Sequence, residues 1–85
     1  MMTPEEIADI NPEALLCDGF DEAIIGMAER INLGPVVAYD VDKIINILME
    51  RDEMTYEDAI EYFDYNILGA WMGENTPVYV FNNQR

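Results

Sequence analysis

Histidine is absent from this sequence and cysteine occurs once, at Cys17. A zinc centre needs imidazole or thiolate ligands, so its donor set is missing. The lone thiol has no imidazole to activate it and no partner for an intrachain disulfide, which points to a reducing compartment. Basic residues are nearly as scarce. Arg30, Lys43, Arg51 and Arg85 face 18 Asp and Glu, giving a formal net charge of −14. Affinity for phosphates comes from Lys and Arg that displace counterions, so this balance argues against direct nucleic-acid binding and, on the same ground, against anionic membrane surfaces. No run approaches the ~18 uninterrupted apolar residues of a membrane span, and no cationic, apolar leader precedes Pro4. Glycine-rich phosphate loops and nucleophile elbows are also missing. The expectation is a cytoplasmic protein that is not an enzyme and carries no cofactor and no metal.

What is present is the material of a core. Hydrophobic residues make up 51% of the chain, with three Phe, five Tyr, one Trp and six Met, more than a disordered acidic tail carries. We read residues 1–85 as a single domain, of a size that removes about 60–65% of its unfolded surface from water. A dense negative field favours a basic partner, a cation, or solubility alone.

Thr3-Pro4-Glu5-Glu6 reads as a helix start, with Thr3 as N-cap, Pro4 at the first helical position and Glu6 completing a capping box. Asn11-Pro12 interrupts it, a second helical turn is expected from Pro12 into Leu16, and Asp18-Gly19 marks a turn. Residues 1–20 are thus an irregular arm with short helical turns. Over 23–39 two patterns compete. Ala23, Ile24, Met27, Ala28 and Ile31 would share a helical face, whereas a turn over Asn32 to Pro35 would join two strands, the second β-rich at Val36 to Tyr39. Gly26 costs a helix about 1 kcal/mol relative to Ala, which favours the hairpin.

Asp40 or Asp42 is placed to cap a helix with Val41, Ile44, Ile45 and Leu48 on its apolar stripe, ending near Asp52. Thr55 caps the next, in which Tyr56, Ala59, Ile60, Phe63, Ile67 and Ala70 share one arc. With only Glu53 and Met54 between them, the two form an antiparallel pair. Gly69 and Gly73 bracket Trp71, a turn over Glu74 to Pro77 leads into a strand at Val78 to Phe81, and Asn82 to Arg85 reads as a frayed end. The order implies an α+β fold, a small two-layer domain of β-hairpin, antiparallel helix pair and final strand, with both helices on one face of the sheet.

On the second helix Glu57, Glu61 and Asp64 line the arc opposite the apolar stripe, with Asp58 and Tyr65 beside them and Tyr62 at the flank. The helix dipole accounts for Glu57 and Asp58 near the N-terminus. It does not account for Tyr62, Tyr65 and Leu68 pointing outward, and exposed aromatics concentrate at binding hot spots. A plain solvated face is the competing explanation. We therefore take Glu57, Asp58, Glu61, Tyr62, Asp64 and Tyr65, with Glu74 and Asn75 of the following turn, as candidate partner-binding residues. Asp18, Asp21 and Glu22, or Asp40 and Asp42, offer oxygens to a divalent cation, but neither set matches the calcium loop, and capping accounts for the second. Carboxylate chemistry would need a pocket that raises one pKa. Its polar members would be Tyr39, Asn66 and the 74–76 loop, for which an ordinary turn is sufficient explanation.

Asp18-Gly19-Phe20-Asp21-Glu22-Ala23-Ile24-Ile25-Gly26, Val37-Ala38-Tyr39-Asp40, Ile47-Leu48-Met49 and Met54-Thr55-Tyr56-Glu57-Asp58-Ala59-Ile60-Glu61-Tyr62-Phe63, followed by Asn66 and Gly69-Ala70-Trp71-Met72-Gly73-Glu74-Asn75-Thr76-Pro77, resemble a family of small acidic, mostly uncharacterised proteins encoded by tailed bacteriophages. The likeness covers residues 18–81 and departs from the family at Glu53, where relatives often carry Gly. It implies a phage origin and transfers no catalytic residue. By analogy with small acidic phage proteins, it implies inhibition or modulation of a host or defence protein with a basic surface, by carboxylates that mimic a nucleic-acid backbone. The alternative is a structural or assembly protein acting through homo-oligomerisation or a phage complex.

Overall fold

The computed structural model describes residues 2–82. The fold is α+β. Helix α1 (Pro4–Ile10) is followed by a short 3₁₀ turn (Asp21–Ala23), strands β1 (Ile24–Arg30) and β2 (Leu33–Asp40), helices α2 (Val41–Arg51) and α3 (Tyr56–Tyr62), a π-helical extension of α3 (Phe63–Leu68), and strand β3 (Val78–Val80). The sheet order is β1-β2-β3. β1 pairs antiparallel with β2, and β3 returns parallel to it, as a strand reached through a helical crossover does.

The capping box forms as the sequence predicts. Thr3 Oγ1 accepts from Glu6 N (3.2 Å) and Glu6 Oε1 accepts from Thr3 N (2.9 Å). These bonds hold the Glu6 carboxyl below its ordinary pKa. The expected helical run from Pro12 to Leu16 does not form, and only a turn at residues 12–13 remains. There Asn11 is used differently: its Nδ2 donates to Pro35 O (2.7 Å) and Asn75 Oδ1 (3.2 Å), pinning the arm beside the sheet.

Residues 24–40 are the hairpin, not the helix, but its turn lies earlier than expected. Arg30 pairs with Leu33, so Ile31 and Asn32 make the turn, Asn32 taking φ 62°. Gly34 and Pro35 fall inside β2 instead. They sit opposite Glu29 at a register shift, where a bulge tolerates a proline that has no N–H to give the ladder. Arg30 Nε and Nη2 clamp this tip by donating to Gly34 O (3.0 and 2.7 Å).

Asp40 caps α2, its Oδ1 accepting from the N–H groups of Asp42 and Lys43 (2.9 and 3.4 Å). Val41, Ile44, Ile45 and Leu48 are buried as the stripe requires, and with Ile24, Val37 and Tyr39 of the sheet, Ala59, Phe63 and Ile67 of the second helix, and Ile7, Phe20 and Ala23 of the N-terminal segment they form one core. Two members of the expected apolar arc are exposed: Tyr56 in the first turn of α3, and Ala70 beyond its end. The helix stops at Leu68 after widening from α to π, a change that a 3.6-residue pattern does not encode. Asn66 Nδ2 donates to Tyr62 O (3.2 Å) within this widened stretch. The last strand is shorter than expected, ending at Val80, and the frayed end expected over 82–85 lies, beyond Asn82, outside the described residues.

Between the helices Glu53 occupies the left-handed region (φ 56°), where glycine is the usual residue because an L side chain crowds the carbonyl. Glu53→Gly should therefore raise the free energy of unfolding by about 1 kcal/mol, read as a higher urea midpoint at unchanged slope; a lower midpoint would show that the side chain contributes something its backbone strain conceals.

Tyr39 is fully buried, and its hydroxyl accepts from Cys17 N (2.7 Å). Its ring stacks on Tyr79 (6.0 Å), which meets Phe63 edge-on (5.4 Å), and Tyr79 Oη shares a hydrogen bond with Cys17 Sγ (3.2 Å). Burial pushes the Tyr39 phenol up to about 12 and raises Tyr79 and Cys17 as well. Groups whose pKa is raised by folding contribute stability that is complete below their unfolded values and disappears as pH rises through the folded ones. The fold should thus weaken from pH ~9 upward, where an unfolded Cys and then Tyr ionise, and be lost towards pH 12. A titration of tyrosinate absorbance beside circular dichroism should show a late tyrosine fraction ionising together with unfolding; a single early phenol transition with the fold intact would contradict it.

Candidate functional site

Thr55 starts α3 by accepting from Asp58 N at its Oγ1 (3.2 Å). With Ala59, Phe63 and Ile67 turned into the core, the helical period leaves the opposite side to Glu57, Asp58, Glu61, Tyr62, Asp64 and Tyr65, all exposed. Asp58, Glu61, Tyr62 and Tyr65 meet with Met54 and Asn66 around one open hollow of about 350 Å³. Asp58 with Tyr62, and Glu61 with Tyr65, are neighbours four residues apart on the helix surface, so each carboxylate lies beside a phenol ring. Tyr65 is 80% exposed and Tyr62 41%. Among the described residues no cation of the chain lies within salt-bridge distance of Asp58 or Glu61.

Glu57 and Asp64 share the exposed side of this helix but do not line the hollow. Glu74 is exposed and Asn75 half-buried in the turn before β3. Asn75 is committed to the fold: its Oδ1 accepts from Asn11 Nδ2 and its carbonyl from Leu15 N (3.1 Å), so it belongs to the seam between arm and sheet and not to the α3 surface. Met54 and Asn66 are the lining residues not named as partner-binding from the sequence. Met54 reads there as linker, and Asn66 lies in the π-helical stretch Phe63–Leu68, whose period a 3.6-residue pattern does not encode.

Of the polar groups considered for catalysis, Tyr39 is sealed in the core, and Thr76 Oγ1 accepts from Met72 N (2.8 Å) and donates to Gly73 O (2.7 Å) as a turn residue does. A second depression, of about 520 Å³, lies between the 3₁₀ turn and α2, with Asp21, Glu22, Glu50 and Arg51 on its walls. Arg51 is engaged there: Nη1 donates to Gly19 O (2.8 Å), Nε pairs with Asp52 (3.2 Å), and the guanidinium lies 4.9 Å from the centre of the Phe20 ring. A third, of about 220 Å³, is mainly apolar and is bordered by Leu16, Cys17, Ile67, Ala70, Met72 and Pro77 among others. Among the described residues no group of three Asp, Glu or Cys is arranged to hold a metal ion, and no helix is long and apolar enough to cross a membrane.

No protein-family model matches the chain, and no curated protein or solved structure matches it either.

The carboxylates repel one another across a domain of net charge −14. Raising ionic strength from about 0.01 to 0.15 M shortens the Debye length from about 30 to 8 Å, which relieves self-repulsion in the compact state. We expect the melting temperature to climb by about 4–8 °C, the equivalent of ~1 kcal/mol for a domain of this size; a melting temperature indifferent to salt would show that the charges are spaced too widely to matter.

Proposed function

We propose that this chain is a small acidic phage-type protein that acts in the host cytoplasm by binding, and so inhibiting or modulating, a host or defence protein with a basic, nucleic-acid-binding surface. The observation that carries this reading is the gathering of Asp58, Glu61, Tyr62 and Tyr65 around one hollow on a helix face that the core does not use. Spacing supports it. Glu57, Asp58, Glu61 and Asp64 span about 10 Å of helical rise, so a carboxylate recurs about every 3.5 Å, against one phosphate per about 3.4 Å along a single DNA strand. A protein groove shaped for a nucleic-acid backbone would meet a similar linear charge density here. Binding, not catalysis, is also the role that suits Cys17, whose thiol is raised by burial and bonded to a phenol in place of a base.

A structural or assembly role is the second reading, favoured by a different set of residues. Trp71 and Met72 are 74% and 71% exposed, and Met72 borders the apolar hollow. Such a surface would make contacts insensitive to salt, between copies or within a phage assembly.

Affinity capture from bacterial lysate at low and at physiological salt, with wild type beside the Glu57→Lys/Glu61→Lys/Asp64→Lys variant, separates the two. The inhibitor reading expects one nucleic-acid-binding or defence protein enriched by wild type only, with recovery falling as salt rises. The variant should remain folded, losing about 0.5–1 kcal/mol because Glu57 leaves the favourable end of the helix dipole. Capture that ignores the substitutions and salt but disappears with Trp71→Ala would move the function to the apolar surface.

A further inference from the structure

The hollow on α3 combines features that an acidic surface alone does not need. A chain that required only negative charge would have no use for two phenol rings set between the carboxylates, nor for a thioether beside them. Tyr62 and Tyr65 are both exposed, and an aromatic face attracts cations through its quadrupole. Asp58 and Glu61 supply the acceptor oxygens, and Met54 and Asn66 complete the rim. The same chemistry is already assembled elsewhere in this molecule: Arg51 sits over the Phe20 ring with Asp52 as its carboxylate and the Gly19 carbonyl as a further acceptor. There an aromatic face, a carboxylate and a carbonyl hold one guanidinium. On α3 the rings and carboxylates are present and, among the described residues, no cation of this chain pairs with Asp58 or Glu61.

We propose that the Met54/Asp58/Glu61/Tyr62/Tyr65/Asn66 hollow is a receptor for one arginine side chain presented by a protein partner, its guanidinium lying on the tyrosine faces and bonding to Asp58 and Glu61. Guanidinium is preferred over ammonium on physical grounds. It is planar and weakly hydrated, stacks on aromatic faces, and offers paired N–H donors to carboxylates, whereas the lysine ammonium is a compact, strongly hydrated charge. The site is open, so its selectivity comes from stacking and not from enclosure. This inference deepens the proposed function and rests on its choice of the α3 face, but it makes a claim that the charge argument does not: discrimination between cations of equal charge.

The test is an amide chemical-shift titration of the isotope-labelled protein at low salt, with oligoarginine and oligolysine peptides of equal length, on wild type and on Tyr65→Leu. That substitution places an apolar side chain at an exposed position and removes the phenol, ring and hydroxyl together, while leaving the carboxylates in place, and the spectrum itself reports that the variant is folded. Expected are shifts concentrated at Met54 and residues 58–66, about five- to tenfold tighter binding of oligoarginine, and collapse of that preference towards unity in Tyr65→Leu with oligolysine binding unchanged. Equal affinities for the two peptides, untouched by Tyr65→Leu, would overturn the arginine receptor and leave the acidic-surface reading standing. Absence of shifts on α3 with either peptide would overturn both. An arginine preference in a protein that captures nothing from lysate would uphold the receptor and sink the inhibitor.

Discussion

A phenol carried on the inner face of a central strand must find a hydrogen-bond partner, because a buried hydroxyl left without one costs about 1–3 kcal/mol. Tyr39 meets this constraint with the backbone N–H of Cys17, and most of the tertiary structure follows from it. The bond fixes where the N-terminal arm crosses the sheet. It also places the Cys17 thiol against the Tyr79 hydroxyl, so that β3, only three residues long, is secured by its side chain as well as by its ladder. Tyr79 carries the connection onward by packing edge-on against Phe63, where α3 turns into its π-helical extension. Arm, sheet and helix layer therefore meet at one aromatic column, and a domain that buries little surface for its size is held by contacts that each serve two elements.

That column explains which parts of the fold were legible in the sequence. The helix starts at Thr3, Asp40 and Thr55 were legible because a cap is a local contract between a side chain and the next few N–H groups. The α2 stripe was legible because Val41, Ile44, Ile45 and Leu48 answer to a single core. The hairpin could be preferred over a helix from Gly26 and the β-branched run, but its turn was misplaced. Gly-Pro is a strong turn signal locally, yet Asn32 takes the left-handed position and Pro35 is absorbed by a bulge whose carbonyl then bonds to Asn11, far away in sequence. The fate of Asn75 was hidden for the same reason, since its partners Asn11 and Leu15 are brought to it only by the folded arm.

Of the six residues that line the candidate hollow, Asp58, Glu61, Tyr62 and Tyr65 were singled out from the sequence. A wheel of constant period puts Glu57, Glu61 and Asp64 opposite the core and finds the unusual outward tyrosines. It cannot find the hollow, because that also takes in Met54 from the linker after the left-handed Glu53 and Asn66 from a stretch that is π-helical, not α-helical.

The distribution of the few cations gives the acidic face its significance. Arg30 gives its donors to the Gly34 carbonyl in the hairpin tip, and Arg51 divides its own between the Gly19 carbonyl beside the 3₁₀ turn and the adjacent Asp52 carboxylate. Each closes a loop that a chain poor in other staples would leave loose. A sequence selected only for solubility would gain more from placing those guanidinium groups among the carboxylates of α3, where i, i+4 pairs stabilise a helix by about 0.2–0.5 kcal/mol each. Instead α3 carries like charges side by side and takes its support from Thr55 at one end and from core packing along its length. The destabilisation this entails is small in any one pair but persistent, and it falls on the one face that also exposes two tyrosines around a cavity. A local conflict of this kind, tolerated where the rest of the fold is consistent, falls on the face that we propose as the partner-binding surface.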